Sequence, residues 1–203
     1  APGDIDDAFV RTVEIFNLVE KYQIPAIIMS DKYLLESHKS TIPFDFKSIK
    51  IERGEIIETE EWKGEKYRRY KITESGVSPR IILGTKGATM LANGNEHDEF
   101  GFTTVDPIKV VAMADKRFRK SDHLAKEIST LEPVKIFGDK NPDITFVGWG
   151  STKGPALEAI RLLTEEGKRA NFIQIIYLEP FPSEAFEKAM KNSGKSILLE
   201  TNI

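Results

Sequence analysis

The sequence predicts an α/β chain in three segments, and three observations carry the prediction. Residues 145–203 alternate strand, glycine turn, helix, strand, helix, strand, which calls for a parallel sheet with helices on its faces. The first 42 residues hold one long helical pattern followed by a continuous apolar run. Between them lies an irregular α+β middle of short alternating stretches, glycine-punctuated loop and one further helix. The expected segments are therefore 1–42, 43–131 and 132–203.

Local signals justify each element in turn. Asp4 is placed to cap a helix running to about Tyr22, its carboxylate accepting from a free first-turn N–H. Ile5, Ala8, Phe9, Val13, Phe16 and Val19 recur at helical spacing and predict one buried stripe. The run 24–29 has strand length and is apolar nearly throughout, as expected of a strand covered on both faces. Asp31 predicts a second, short helix through Lys39. In the middle segment, 49–58 alternates around Arg53 and Gly54 and predicts a hairpin, and 67–73 adds an extended stretch. Gly76, Pro79, Gly84, Gly87 and Gly94 then punctuate a loop of a length that is uncommon in compact domains unless functional, disordered or packed on a partner.

Residues 106–129 return to helical character. Val110, Val111, Met113, Ala114, Phe118, Leu124 and Ala125 supply the apolar face, and Lys116-Arg-Phe-Arg-Lys120 reads as a solvated basic face. The last segment, beginning near Pro133, predicts strands at 145–150, 172–178 and 196–201, with helices starting at Pro155 and Ser183. Its crossovers are expected to be right-handed.

Composition narrows the function classes. A chain of 203 residues, 40% hydrophobic and 30% charged, has the makeup of a soluble globular protein with a real core. A net charge of −3 argues against nucleic-acid or membrane-surface binding through bulk charge. No apolar run approaches the ~18 residues needed to span a bilayer. The absence of cysteine rules out disulfides, zinc–thiolate sites, a cysteine nucleophile and any cysteine-ligated iron–sulfur cluster on this chain. It also fits a cytoplasmic protein. The opening Ala1-Pro-Gly-Asp4 reads as a cut edge, and the stop on a strand at Ile203 reads as a piece of something larger.

Two motifs carry candidate chemistry. Gly150, Ser151, Thr152 and Lys153 join a strand to a helix; free N–H groups at a helix start attract anions, and Lys153 can add charge. The plainer reading is a tight turn with Ser151 or Thr152 as N-cap, because the spacing of a P-loop or dinucleotide fingerprint is lacking. Glu96, His97, Asp98 and Glu99 form the densest polar cluster, able in principle to hold a divalent cation or a general base. Adjacent residues rarely converge on one ion, so a glycine-bounded turn bonding its own backbone or a partner subunit is the ordinary alternative. His38 and His123 sit beside charged residues and read as surface groups.

Longer strings bring a family into view. Pro2-Gly-Asp-Ile-Asp-Asp-Ala-Phe9, Phe16-Asn-Leu-Val-Glu-Lys-Tyr-Gln-Ile-Pro25 and Ile28-Met-Ser-Asp31 resemble the end of the thiamine-diphosphate pyrimidine-binding domain in the alpha subunit of 2-oxoacid:ferredoxin oxidoreductases. Arg69-Tyr-Lys-Ile-Thr-Glu-Ser-Gly-Val-Ser-Pro-Arg80 and Gly94-Asn-Glu-His-Asp-Glu99 resemble the same subunit, in its 2-oxoglutarate or broad-specificity branch. Residues 143–196 are similar to the transketolase C-terminal-type domain, with Leu178-Glu-Pro-Phe-Pro182 as its Pro-Phe-Pro turn.

The resemblance implies oxidative decarboxylation of a 2-oxoacid on thiamine diphosphate with Mg, transfer of the acyl group to coenzyme A, and electrons passed through an iron–sulfur cluster to ferredoxin. A cysteine-free chain cannot ligate that cluster, so the resemblance assigns it, with the thiamine diphosphate, to a beta subunit. The family's Tyr-Pro-Ile-Thr-Pro-like and Arg-Gly-Gly-Pro-Ser-Thr-Gly-like motifs do not occur in these 203 residues. No catalytic residue carries over, and the piece is expected to be inactive alone. Leu198-Leu-Glu-Thr-Asn202 matches the start of a family strand and turn. Two other readings stand beside this one: an assembly module without chemistry, and a phosphate-binding α/β module using the 150–153 turn.

Overall fold

A computed structural model describes residues 1–201, without the side chain of Glu61. The Asn202 end of the family strand-and-turn match therefore lies outside the described residues. The chain divides into two compact units: a larger one of Ala1–Ile15, Ala26–Ile49 and Ala125–Ile203, and a smaller one of Phe16–Pro25 and Lys50–Leu124.

The larger unit is built on a four-stranded sheet of β3 (Val134–Gly138), β4 (Ile144–Trp149), β5 (Ala170–Ile175) and β6 (Lys195–Leu198), in the order β3-β5-β4-β6. Strands β4, β5 and β6 are parallel, with Phe146 opposite both Phe172 and Ile197. The crossovers run through α4 (Lys153–Glu165) and α5 (Ser183–Met190), so this half of the predicted alternation is present. Strand β3 was not foreseen. It pairs antiparallel to β5, Val134 opposite Ile175, and makes the sheet mixed.

Side-chain alternation in β5 sorts the core onto two faces. Ala170 and Phe172 pack with Ala156 and Ile160 of α4, and Ile173 and Ile175 pack with Val147 and the Phe186–Met190 side of α5. All six β5 residues are buried, as a central strand covered on both faces must be.

Helix α1 (Ile5–Tyr22) begins where Asp4 predicts: the Asp4 Oδ1 accepts from Asp7 N at 2.8 Å. Its buried positions are Asp7, Leu18 and Tyr22, while Phe16 is 63% exposed, so the inward stripe is rotated from the one the apolar spacing picks out. Helix α2 (Lys32–Leu35) has Asp31 as its N-cap, bonded to Leu34 N at 2.9 Å, and stops well short of Lys39.

The run 24–29 is not a strand. Ile27 is 81% exposed and Ile28 41%. A strand exists only where a neighbour accepts its ladder, and no described strand lies beside this run.

In the smaller unit the predicted hairpin is also absent. Strand β1 (Ile56–Ile57) pairs in parallel with β2 (Arg80–Ile81). Gly54 has a φ of +69° and lies against helix α1, where a Cβ would come within 2.8 Å of the Lys21 Cα. The glycine serves a close approach of two backbones, not a hairpin turn. Residues 67–73 form no strand and contain a turn at 69–70.

Helix α3 (Pro107–Thr130) appears as expected, yet its faces are exchanged in part. Met113 and Lys116 are buried at 2% and 4% exposure, whereas Phe118 is 75% exposed. The basic stretch is thus not wholly a solvated face. Lys116 lays its stem inward and donates from Nζ to the Tyr70 carbonyl at 3.1 Å.

Candidate functional site

The acidic cluster sits in a turn between the glycines at 94 and 101. Asp98 N donates to Phe102 O at 2.9 Å, Gly101 N donates to Asp98 O at 3.0 Å, and Thr104 N donates to Glu96 O at 3.0 Å. Each side chain then takes its own partner. Glu96 receives both Nη atoms of Arg117, at 3.0 and 2.5 Å. That bond, stronger than the opposing effect of burial, brings the Glu96 carboxyl down to about 2. The His97 ring lies 3.9 Å from the Tyr70 ring centroid, and its Nδ1 is 3.0 Å from the Asp98 carbonyl.

Asp98 Oδ1 accepts from Phe100 N and Phe102 N at 3.0 and 3.1 Å. Glu99 Oε1 accepts from Ile72 N at 2.9 Å, while its Oε2 lies 3.4 Å from Arg68. The four groups are turned to four different partners and do not converge. Among the described residues no three His, Asp or Glu side chains are grouped to hold a metal ion. What this arrangement does chemically is bind a long loop to itself and to α3.

The 150–153 turn is likewise engaged. It is a 3₁₀ turn (Gly150–Thr152) leading into α4, with Gly150 at a φ of +62°. Neither expected N-cap works through its side chain at the α4 start: Thr152 Oγ1 donates backward to Trp149 O at 2.7 Å. The Asp31 carboxylate lies beside this turn, close to Gly150 and Ser151. Burial raises the Asp31 carboxyl, and the nearby Ser151 hydroxyl and N–H with the N–H groups of Leu34 and Tyr33 outweigh it, holding it below the ordinary aspartate value. The helix start therefore already faces an anion, supplied by the protein.

Lys153 completes the picture and points elsewhere. Its Nζ lies 2.6 Å from Asp4 Oδ2 and 3.4 Å from Asp7 Oδ2, with the Phe137 ring centroid at 5.3 Å. Asp7 is only 7% exposed and also accepts from Gln174 Nε2 at 3.0 Å and Gly3 N at 3.3 Å. Burial raises its carboxyl; the Gln174 bond, the charges of Lys153 and Lys135 and the Gly3 bond together bring it below the usual value. Sequence reasoning missed this buried polar network. Its signal was Gln174, a long amide in the fully buried central strand, which demands a buried partner.

The 150–153 turn does not fit a thiamine diphosphate, and an iron–sulfur cluster has no cysteine to ligate it on this chain. The candidate anion turn already has the Asp31 carboxylate beside it and directs its lysine to Asp4 and Asp7. The chain offers no thiolate.

Comparison with known proteins decides the family. Residues 1–116 match the family described as pyruvate flavodoxin/ferredoxin oxidoreductase, thiamine diphosphate-binding, and residues 134–203 match the transketolase C-terminal domain. The chain belongs to the pyruvate flavodoxin/ferredoxin oxidoreductase family.

It is 38% identical, over its full length, to subunit alpha of 2-oxoacid:ferredoxin oxidoreductase 2 from Aeropyrum pernix, covering 31% of that protein. Subunit alpha of 2-oxoacid:ferredoxin oxidoreductase 1 from Sulfurisphaera tokodaii is 37% identical with the same coverage. The chain thus spans about a third of the length of these oxidoreductase subunits. Against a 2-oxoglutarate synthase subunit from Methanothermobacter thermautotrophicus, identity is 27% over 52% of that subunit. Among solved structures, the 2-oxoglutarate:ferredoxin oxidoreductase of Magnetococcus marinus with 2-oxoglutarate, coenzyme A and succinyl-CoA bound matches 98% of this chain and 34% of its own. The TM-score there is 0.82 at 30% identity. The fold class is that expected, an α/β chain with a thiamine diphosphate-binding-type region followed by a transketolase C-terminal-like domain.

Proposed function

We propose that this chain is part of the alpha subunit of a thiamine-diphosphate-dependent 2-oxoacid:ferredoxin oxidoreductase, which converts a 2-oxoacid to its acyl-CoA and passes the electrons to ferredoxin. The supporting observation is that the two family models follow one another along a chain that aligns end to end with alpha subunits. The division into 1–42, 43–131 and 132–203 goes with this reading, as does a cytoplasmic location for a CoA-dependent reaction.

The residues of this chain take structural parts in such a complex. The 96–99 turn organises a loop, and the Asp4–Asp7–Lys153–Gln174 network joins α1 to the sheet of the larger unit. Thiamine diphosphate, magnesium and the cluster fall to other residues and to a cysteine-bearing beta subunit. Thiamine diphosphate supplies the electron sink that no side chain offers.

The test is co-expression of the full-length alpha subunit with its beta partner, followed by reduction of ferredoxin with 2-oxoglutarate or pyruvate. Turnover that requires both coenzyme A and thiamine diphosphate is expected. A well-folded complex that turns over no 2-oxoacid overturns the reading.

A second reading, a subunit-contact module, is favoured by one observation. Ile108, Val111 and Phe118 repeat along α3 at 81%, 58% and 75% exposure, an apolar stripe of the kind that a partner covers. Light scattering with and without the beta subunit tests it; a chain that stays monomeric beside that subunit counts against it.

A further inference from the structure

The sequence holds one Asn–Gly pair, Asn93–Gly94, and it opens the loop that carries the 96–99 turn. An asparagine side chain and the next backbone nitrogen are a single small ring apart, so a reaction between them is intramolecular and starts close to its reacting geometry. What restrains it elsewhere is the side chain of the following residue, which crowds that nitrogen. A glycine removes the obstacle.

The fold does not need that glycine. Gly94 is exposed, its φ lies outside the left-handed region, and a Cβ built there would meet nothing within 4 Å. Among the described residues no backbone carbonyl accepts from Gly94 N. The nitrogen is therefore both unhindered and uncommitted.

The Asn93 amide is held at both ends. Its Oδ1 accepts from Asn95 N at 2.8 Å, an Asx turn. Its Nδ2 donates to Gly101 O at 2.6 Å, across the neck of the loop. The two bonds act in opposite directions on an attack by Gly94 N at Asn93 Cγ. Negative charge then develops on Oδ1, in front of the Asn95 N–H. The bond to Gly101, in contrast, retains the nitrogen that has to leave. The first becomes charge-assisted as the reaction proceeds, and such bonds are about twice as strong as neutral ones, so it outweighs the second.

We propose that Asn93 is a site of spontaneous modification, closing a succinimide with Gly94 that opens to aspartate and isoaspartate and loosens the 93–101 loop. Gly94 N bonds to Asn93 Cγ, the Cγ–Nδ2 bond breaks, and ammonia departs with the proton that Gly94 N gives up. Water then adds to one of the two ring carbonyls and breaks its bond to Gly94 N. Opening at Cγ leaves aspartate; opening at the backbone carbonyl leaves isoaspartate, with an added methylene in the main chain. No electrons change hands. Either product loses the Nδ2 donor and leaves Gly101 O without its partner, because a carboxylate only accepts. It also adds a negative charge to a loop that already carries Glu96, Asp98 and Glu99. The inference does not depend on the oxidoreductase assignment.

The test is a time course of the full-length subunit at mildly alkaline pH, read by peptide mapping with mass spectrometry and by isoaspartyl-specific methylation. A synthetic peptide of residues 88–100 supplies the unfolded rate. Conversion at Asn93 in the folded subunit is expected within about tenfold of the peptide, since one neutral bond to the leaving amide slows it by no more than about that factor. Gly94→Ala should slow conversion by at least about tenfold with unchanged circular dichroism, because its Cβ meets open space. The same change in the peptide serves if the variant does not fold. Aged protein and Asn93→Asp should both be cut by chymotrypsin after Phe100 or Phe102 about fivefold faster than fresh protein, the loss of one hydrogen bond from the loop. Conversion more than about tenfold slower than the peptide, an equal rate with alanine at 94, or unchanged digestion of the aged protein overturns the proposal. Turnover is not read, so none of these outcomes bears on the proposed activity.

Discussion

Replacing Lys116 by methionine is expected to stabilise the protein at neutral pH, against the intuition that an engaged lysine holds a loop. Burial, with smaller contributions from the charges of Lys120, Arg69 and Arg117, lowers the Lys116 amine from 10.5 to about 8. At about 1.4 kcal/mol per pH unit, that gap bounds the cost of the buried charge at about 3 kcal/mol. Solvent screening reduces it to about 2 kcal/mol. Lys116→Met removes this cost and forfeits the 3.1 Å bond to Tyr70 O, worth about 1 kcal/mol. The net gain near pH 7 is about 1 kcal/mol.

The pH dependence makes the test sharp. The folded lysine releases its proton more readily than the unfolded one, so wild-type stability rises with pH from about 8 towards 10.5. Urea denaturation followed by circular dichroism should show wild type gaining about 1 kcal/mol between about pH 7.5 and 9.5, relative to Lys116→Met. Equal pH dependence in the two proteins, or a loss of more than about 2 kcal/mol in the variant at pH 7, would refute the reasoning.

Two further outcomes are expected. Phe172→Ala, at a side chain with 0% exposure between β5 and α4, should cost about 3–5 kcal/mol in the same denaturation experiment. Glu96→Gln breaks a half-exposed pair with Arg117 and should cost less than about 1 kcal/mol at pH 7. Because the Glu96 carboxyl falls from 4.5 to about 2, its stabilising share is present above about pH 4.5 and is lost as pH falls towards 2. Wild type and Glu96→Gln should therefore converge in acid denaturation.

What the sequence made legible is what repeats along it. Helix α1 with its Asp4 cap, helix α3, and the β4–α4–β5–α5–β6 alternation each carry a period or a punctuating residue, and all five elements of that alternation are present. Strand β3 was opaque because its partner, β5, follows a whole strand and helix later, and Lys135 breaks its apolar pattern. The two-residue strands β1 and β2 carry no period at all. At the 24–29 run the apolar pattern suggested a strand, but strand formation depends on a neighbour the pattern does not describe.

The candidate site was legible as composition and not as geometry. Glu96, His97, Asp98 and Glu99 were visible as a cluster, yet their directions follow from Arg117, Tyr70 and Ile72, which lie far along the chain. The burial of Lys116 had no local sign, since it rests on one carbonyl at Tyr70.

The Asp31 carboxylate beside Ser151 makes the strand-to-helix turn its own competitor. A phosphate approaching that helix start must displace a carboxylate tethered in place, whose effective concentration is of millimolar order or more. The lowered Asp31 carboxyl keeps this internal ligand ionised through the neutral range. The turn thus carries its own anion, set beside the start of α4 by the residue just beyond the 24–29 run.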